Sequence, residues 1–132
     1  MTITNEAREI VLKYRLEQAH EMVDEARFLI DNNKLKTAVN RIYYGMFYIL
    51  CGLALKYQFS TSKHHQLLGW FNKTFIKEKI IDQKYGDIIR KSFSKRSDSD
   101  YGVMVKFEKM DVEKMLEDMK EFIAVIERLI FD

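Results

Sequence analysis

A guanidinium, two carboxylates and a phenol lie within one short stretch, Arg96-Ser97-Asp98-Ser99-Asp100-Tyr101. An arginine side chain stays protonated and presents a planar fork of donors, so its natural task is to stabilise phosphate charge. Arg96 closes a segment, residues 73–96, with eight basic residues against three acidic ones, whereas residues 106–132 carry eight acidic against five basic. Such a basic half attracts phosphates, although scattered lysines on a solvated face give the same count. Arg96 is therefore read either as a phosphate or nucleotide contact or as one half of an ion pair with Asp98 or Asp100. Paired carboxylates can hold Mg²⁺, but acids alternating with serines more often cap or turn the backbone. Asp98 and Asp100 are read that way, and no metal site is expected. Tyr101 is expected to pack its ring and to hydrogen-bond through its hydroxyl.

The other groups with chemistry to offer are the pair His64-His65 and the polar pair Asn40-Arg41 beside Tyr43, Tyr44, Phe47 and Tyr48. His64 and His65 stand at a helix start, where the positive end of the helix disfavours a protonated imidazole, so at least one is expected to be neutral. His64 either serves that helix start or joins a site facing Arg96. Arg41 either lines a cleft or hydrogen-bonds across helices, and the second is favoured. Three histidines and one cysteine are too few for a zinc site. Cys51 has no internal disulfide partner. It sits in the apolar run Ile49-Leu50-Cys51-Gly52-Leu53, as a structural thiol suited to a reducing compartment.

The elements that must position these groups read as helices. The chain has no proline and only five glycines in 132 residues, which favours long helices and short turns. Residues 5–32 carry Val11, Tyr14, Gln18, Met22, Ala26, Leu29 and Ile30 at three- and four-residue steps, with Thr4 as cap and Asp31-Asn32-Asn33 as stop. Residues 35–57 form a second helix, apolar nearly all round between Ile42 and Leu55. Gly45 and Gly52 make a strip there that another helix can approach closely. A third helix over 64–76 is capped by Ser62, a fourth runs over 82–94, and Asp111 caps a fifth. Residues 95–110 read as a polar loop that carries Arg96 in an exposed turn. The expected fold is all-α: an antiparallel up-and-down helical bundle of four main helices plus a shorter fifth helix, in a single domain over residues 1–132.

Bulk properties agree. Apolar residues make up 47% and charged residues 32%, a composition that supports a core of its own. The first residues do not read as a signal peptide, and the strongly apolar stretch 42–55 reads as too short to span a bilayer. A cytoplasmic location is expected.

Three patches, in order, resemble the HEPN family in its branch of small standalone prokaryotic domains. Ala38-Val39-Asn40-Arg41-Ile42-Tyr43-Tyr44-Gly45-Met46-Phe47-Tyr48 is similar to that branch's motif of a small residue, two aromatics, a small residue and Phe. Lys63-His64-His65-Gln66-Leu67-Leu68-Gly69-Trp70-Phe71 resembles its Thr-His segment with Phe seven residues after the histidine, which makes His64 the matching one. Arg96-Ser97-Asp98-Ser99-Asp100-Tyr101 resembles its Arg…Asp-Tyr end motif. The resemblance covers roughly residues 7–130.

It implies a bundle that dimerises and is paired with a minimal nucleotidyltransferase, often as toxin and antitoxin. Active family members are metal-independent ribonucleases with Arg, four to six residues, then His. Here Arg96 is followed at 101–103 by Tyr101, Gly102 and Val103, so the imidazole that carries the proton near neutral pH is missing. The resemblance also makes Tyr101 a candidate acceptor for AMP transferred by the partner. The leading expectation is thus a non-catalytic or weakly active HEPN subunit. It binds the nucleotidyltransferase and a nucleotide or RNA phosphate through Arg96, Asp98, Asp100, Tyr101, His64 and Arg41, with no cofactor, membrane or DNA specificity. The rivals are a ribonuclease in which His64 or Tyr101 replaces the missing histidine beside Arg96, and a structural homodimeric adaptor.

Overall fold

The computed structural model describes residues 4–101 and 105–132, apart from the side chain of Tyr101. They form α1 (Asn5–Asp31), α2 (Leu35–Lys56), α3 (His64–Phe71) with a π-helical turn at its end (Asn72–Ile76), α4 (Gln83–Tyr101) and α5 (Lys109–Phe131). No strand occurs among the described residues. Cross-helix pairs fix the directions. Arg27 and His20 on α1 meet Glu113 and Glu127 on α5, and Lys84 on α4 meets Glu121. Lys56 near the end of α2 donates to the Leu129 carbonyl near the end of α5. The helices α1, α2, α4 and α5 therefore alternate up and down, as expected, and α3 is the short one.

The bundle is organised around α2. An apolar helix without a polar face has to be covered on most sides, and α2 is flanked by α1, α4 and α5. Its Ala38, Val39, Ile42, Tyr43, Ile49 and Leu50 are fully enclosed. By length and composition α2, at 22 residues, is able to cross a membrane. The helix is longer than the strongly apolar stretch 42–55, which lies within it. Its burial identifies it as the centre of the bundle. Gly45 and Gly52 are covered within the same chain. A Cβ on Gly45 would overlap Met119 Cε of α5 and lie 3.0 Å from Met22 Cβ of α1, and one on Gly52 would lie 3.0 Å from Leu12 Cδ1.

Caps follow the sequence in part. Thr4 Oγ1 accepts from the Ala7 amide as expected. Ser62 does not cap α3; Lys63 stands at that position, and its amide is bound by Thr61 Oγ1 instead. Asp111 does not cap α5 but lies in its first turn, where its charge suits the helix dipole. Three helical segments end alike. Asn33, Gln58 and Lys79 adopt φ of 57°. The following amides reach back five residues, Lys34 to Leu29, Phe59 to Ala54 and Ile80 to Phe75. These are Schellman closures built without glycine.

The main correction concerns residues 95–101. They continue α4 as helix and are not a loop. Arg96 and Asp100 pair at i,i+4, and Ser92 and Ser99 turn inward, 4% and 3% exposed. Two small hydroxyls thus occupy the buried face where a hydrophobic stripe would have announced the helix. Of the expected loop, only residues 105–108 are described as irregular.

Two stability measurements test this account. Gly45→Val should lower the unfolding free energy by about 1–3 kcal/mol, since Met22 Cβ cannot yield as the methionine tip can. Lys79→Gly should raise it by roughly 0.5–1 kcal/mol by relieving a left-handed conformation. Urea titrations of the two variants against the parent chain give both values.

Candidate functional site

The site grows from one face of α2. Tyr43, Tyr44, Phe47 and Tyr48 follow one another at steps of one, three and one residues, so their rings form a continuous cluster. Tyr43 is buried, and Tyr44, Phe47 and Tyr48 are partly buried. Tyr43 packs edge-on against Tyr44 at 5.3 Å and against Phe93 of α4 at 5.5 Å. The first turn of α3 brings His64 onto the cluster. Its imidazole stacks on Phe47 with ring centres 4.1 Å apart and planes 12° from parallel.

Arg96 lies on α4 one turn after Phe93, and its guanidinium sits over three rings: Tyr43 at 5.2 Å, Tyr44 at 5.5 Å and Phe93 at 5.5 Å. Ring faces are electron-rich, so a stack of this kind holds a cation after water has left it. The side chain is only 12% exposed, which corrects the expectation of a cation in an exposed turn. Nη1 donates to Tyr44 Oη at 3.3 Å and to Asp100 Oδ2 at 3.2 Å. Nε is buried and has no partner among the described residues. The ion pair expected as one reading of Arg96 is present, but it is long, and Asp100 is itself 34% exposed.

The electrostatics of the cluster are one-sided. His64 has its pKa pushed down, first by burial, then by the Arg96 and His65 charges, and is neutral near pH 7. The Tyr43 hydroxyl lies 2.8 Å from His64 Nδ1. Burial drives the Tyr43 phenol well above its ordinary range, with Arg96 opposing. The phenol keeps its proton, and the direction of its bond to Nδ1 follows the imidazole tautomer.

The remaining expected residues are distributed as follows. Arg41 donates from Nε to Glu25 Oε1 on α1 at 2.6 Å and from Nη1 to Asn40 Oδ1 at 2.6 Å, the favoured cross-helix role. It also lines a concavity of about 400 Å³ with Tyr44, so Tyr44 separates it from Arg96. Asp98 is exposed, and the hydrogen bonds of Arg96 go to Tyr44 and Asp100. The expectations placed on the Tyr101 side chain, and on Gly102 and Val103, lie outside the described residues. Cys51 is partly buried and its thiol is pushed up by burial, in keeping with a structural role. Tyr43 and Phe93 were not singled out as site residues. Tyr43 was legible from its place beside Tyr44, whereas Phe93 looked like one more stripe position.

Fold and site together describe a helical-bundle protein with a largely buried guanidinium clamped on an aromatic cluster beside a neutral imidazole. Residues 12–129 match the HEPN domain family, and the chain belongs to that family. It is 36% identical over 125 residues, 95% of each chain, to a UPF0332 protein of Thermotoga maritima. It is similar also to two proteins of Methanocaldococcus jannaschii described as candidate toxins. One is 30% identical over 80% of this chain and 71% of the relative, the other 34% over 65% and 64%.

The His64 shift has a thermodynamic consequence. An unfolded histidine titrates near 6.5; the folded one titrates lower. As pH falls below about 6.5 the unfolded chain takes up a proton that the folded chain refuses, so stability declines on acidification and is fully present above that range. His64→Gln should flatten this dependence, read from urea midpoints at about pH 7.5 and about pH 5.5.

Proposed function

We propose that this chain is the HEPN subunit of a two-component, toxin-antitoxin-like module in the cytoplasm. In this reading it binds a minimal nucleotidyltransferase partner and holds a nucleotide or RNA phosphate at Arg96. The observation that carries the reading is the state of that guanidinium. It is aligned on three rings, has Nε without a partner among the described residues, and is countered by one long, partly exposed ion pair to Asp100. A phosphate offers more acceptors than the Asp100 carboxylate and can displace it from the fork. The similarity to proteins described as candidate toxins supports the module, since a toxin needs a neutralising partner. The partly buried rings Tyr44, Phe47 and Tyr48 suit a second copy of the chain, which makes the subunit a homodimer. Tyr101 follows Asp100 directly and is the proposed acceptor of AMP from the partner. Catalysis by the chain itself is not part of the reading, because no histidine follows Arg96 at 101–103.

One observation favours the ribonuclease alternative: His64 is neutral, is hydrogen-bonded to Tyr43, and packs on the same rings as Arg96. A general base near neutral pH needs these properties. Expression of the chain alone decides between them. The subunit reading expects no RNA cleavage, co-purification with a nucleotidyltransferase, and a mass increase on Tyr101 when that partner is present. Growth arrest abolished by both Arg96→Ala and His64→Ala would establish the ribonuclease instead. For the phosphate site, Asp100→Asn should strengthen inorganic phosphate binding about tenfold by removing the competing carboxylate, and Arg96→Ala should abolish it, both by calorimetry.

A further inference from the structure

A slot of about 350 Å³ opens between α3 and α4, lined by His65, Leu68, Gly69, Phe71 and Asn72 on one side and by Gly86, Ile89, Arg90 and Phe93 on the other. Three features give it shape. Gly69 contributes no side chain, and a Cβ placed there would meet nothing within 4 Å. Gly86 is buried against Ile76 and Asn72, which brings the backbone of α4 close at the far end. The π-helical turn begins at Asn72, where the Lys77 amide reaches the Asn72 carbonyl five residues back. Turns of this kind are frequent at functional sites. The Asn72 amide makes no side-chain hydrogen bond among the described residues, while the rest of the lining is mainly apolar.

The slot and Arg96 share Phe93. It forms one wall of the slot and also one of the three rings under the guanidinium, 5.5 Å from it. Arg96 follows Phe93 by one helical turn, about 5 Å of rise. A mainly apolar chamber with a carboxamide and the Arg90 guanidinium in its lining, and a second guanidinium against its Phe93 wall, suits a single nucleotide. A carboxamide pairs its donor and acceptor with the N6 and N7 edge of adenine.

Building on the phosphate reading of Arg96, we infer that the α3–α4 slot is a nucleobase pocket selecting adenine, with Asn72 on the base edge and Phe93 between base and phosphate. The adenine nucleotide is either free or part of an RNA strand.

Calorimetry on the whole chain with adenosine 5′-monophosphate, adenosine, ribose 5-phosphate and a short oligoadenylate tests this. The mononucleotide, the oligoadenylate or both should bind at least about tenfold more tightly than ribose 5-phosphate, the usual worth of a stacked base. Whichever of the two binds more tightly identifies the source. Gly69→Leu fills the slot on a helix that gains propensity from the change. It should reduce binding to the ribose 5-phosphate level and leave ribose 5-phosphate itself unaffected. Asn72→Leu should erase the preference for adenine over uracil nucleotides. Equal binding of ribose 5-phosphate and both adenylates would overturn the pocket and leave the phosphate site standing. Adenosine bound and lost in Gly69→Leu, with ribose 5-phosphate ignored, would uphold the pocket and remove the phosphate at Arg96. Failure of all four ligands would end both.

Discussion

The constraint on which the structure depends is the enclosure of α2. A helix that is apolar nearly all round gains free energy from every flank that is covered and loses it wherever water remains. Its neighbours must therefore come close, and Gly45 and Gly52 let them do so. Both glycines are contacted from α1 and from α5, seven residues apart. In the middle of α2, partial exposure is kept at Asn40, Arg41, Tyr44, Phe47 and Tyr48. The site occupies this edge because the core leaves it partly uncovered.

Arg96 and His64 reach that edge from different helices and are treated oppositely by the same rings. The aromatic faces hold the guanidinium, which cannot shed its charge. The surrounding apolar volume and the nearby cation keep the imidazole neutral. One cluster thus keeps a permanent positive charge and a proton acceptor side by side without a carboxylate between them, since Asp100 lies on the outer side of Arg96 and is partly exposed.

The helical pattern and the glycine strip were legible in the sequence because they follow from periodicity, whereas the lack of a polar face left α2 either as the central helix or as one that also faces another subunit. The resemblance carried by Tyr43-Tyr44, His64 and Arg96 pointed to three patches that the fold does assemble. What misled was the stretch Arg96-Ser97-Asp98-Ser99-Asp100. Serine and aspartate favour turns in isolation, but here Ser92 and Ser99 face the bundle and Asp100 is bound by Arg96, so tertiary context overrides local preference. The depth of Arg96 was illegible for the same reason. A loop arginine reaches solvent, whereas a helical one lying over three rings does not. The π-helical turn and the glycine-free Schellman closures have no compositional mark at all.

The two long N-terminal helices are joined by a three-residue connection, Asn32 to Lys34. Contacts so close in sequence form early, so the hairpin of α1 and α2 can assemble while the rest of the chain is still being made. It is not self-sufficient, because Met119 and Ile130 of α5 complete the covering of Gly45 and Gly52. Until α5 leaves the ribosome, a segment with the composition of a membrane span has one side bare. The vulnerable period of this protein is therefore its synthesis, when the apolar flank of the nascent hairpin is open to water.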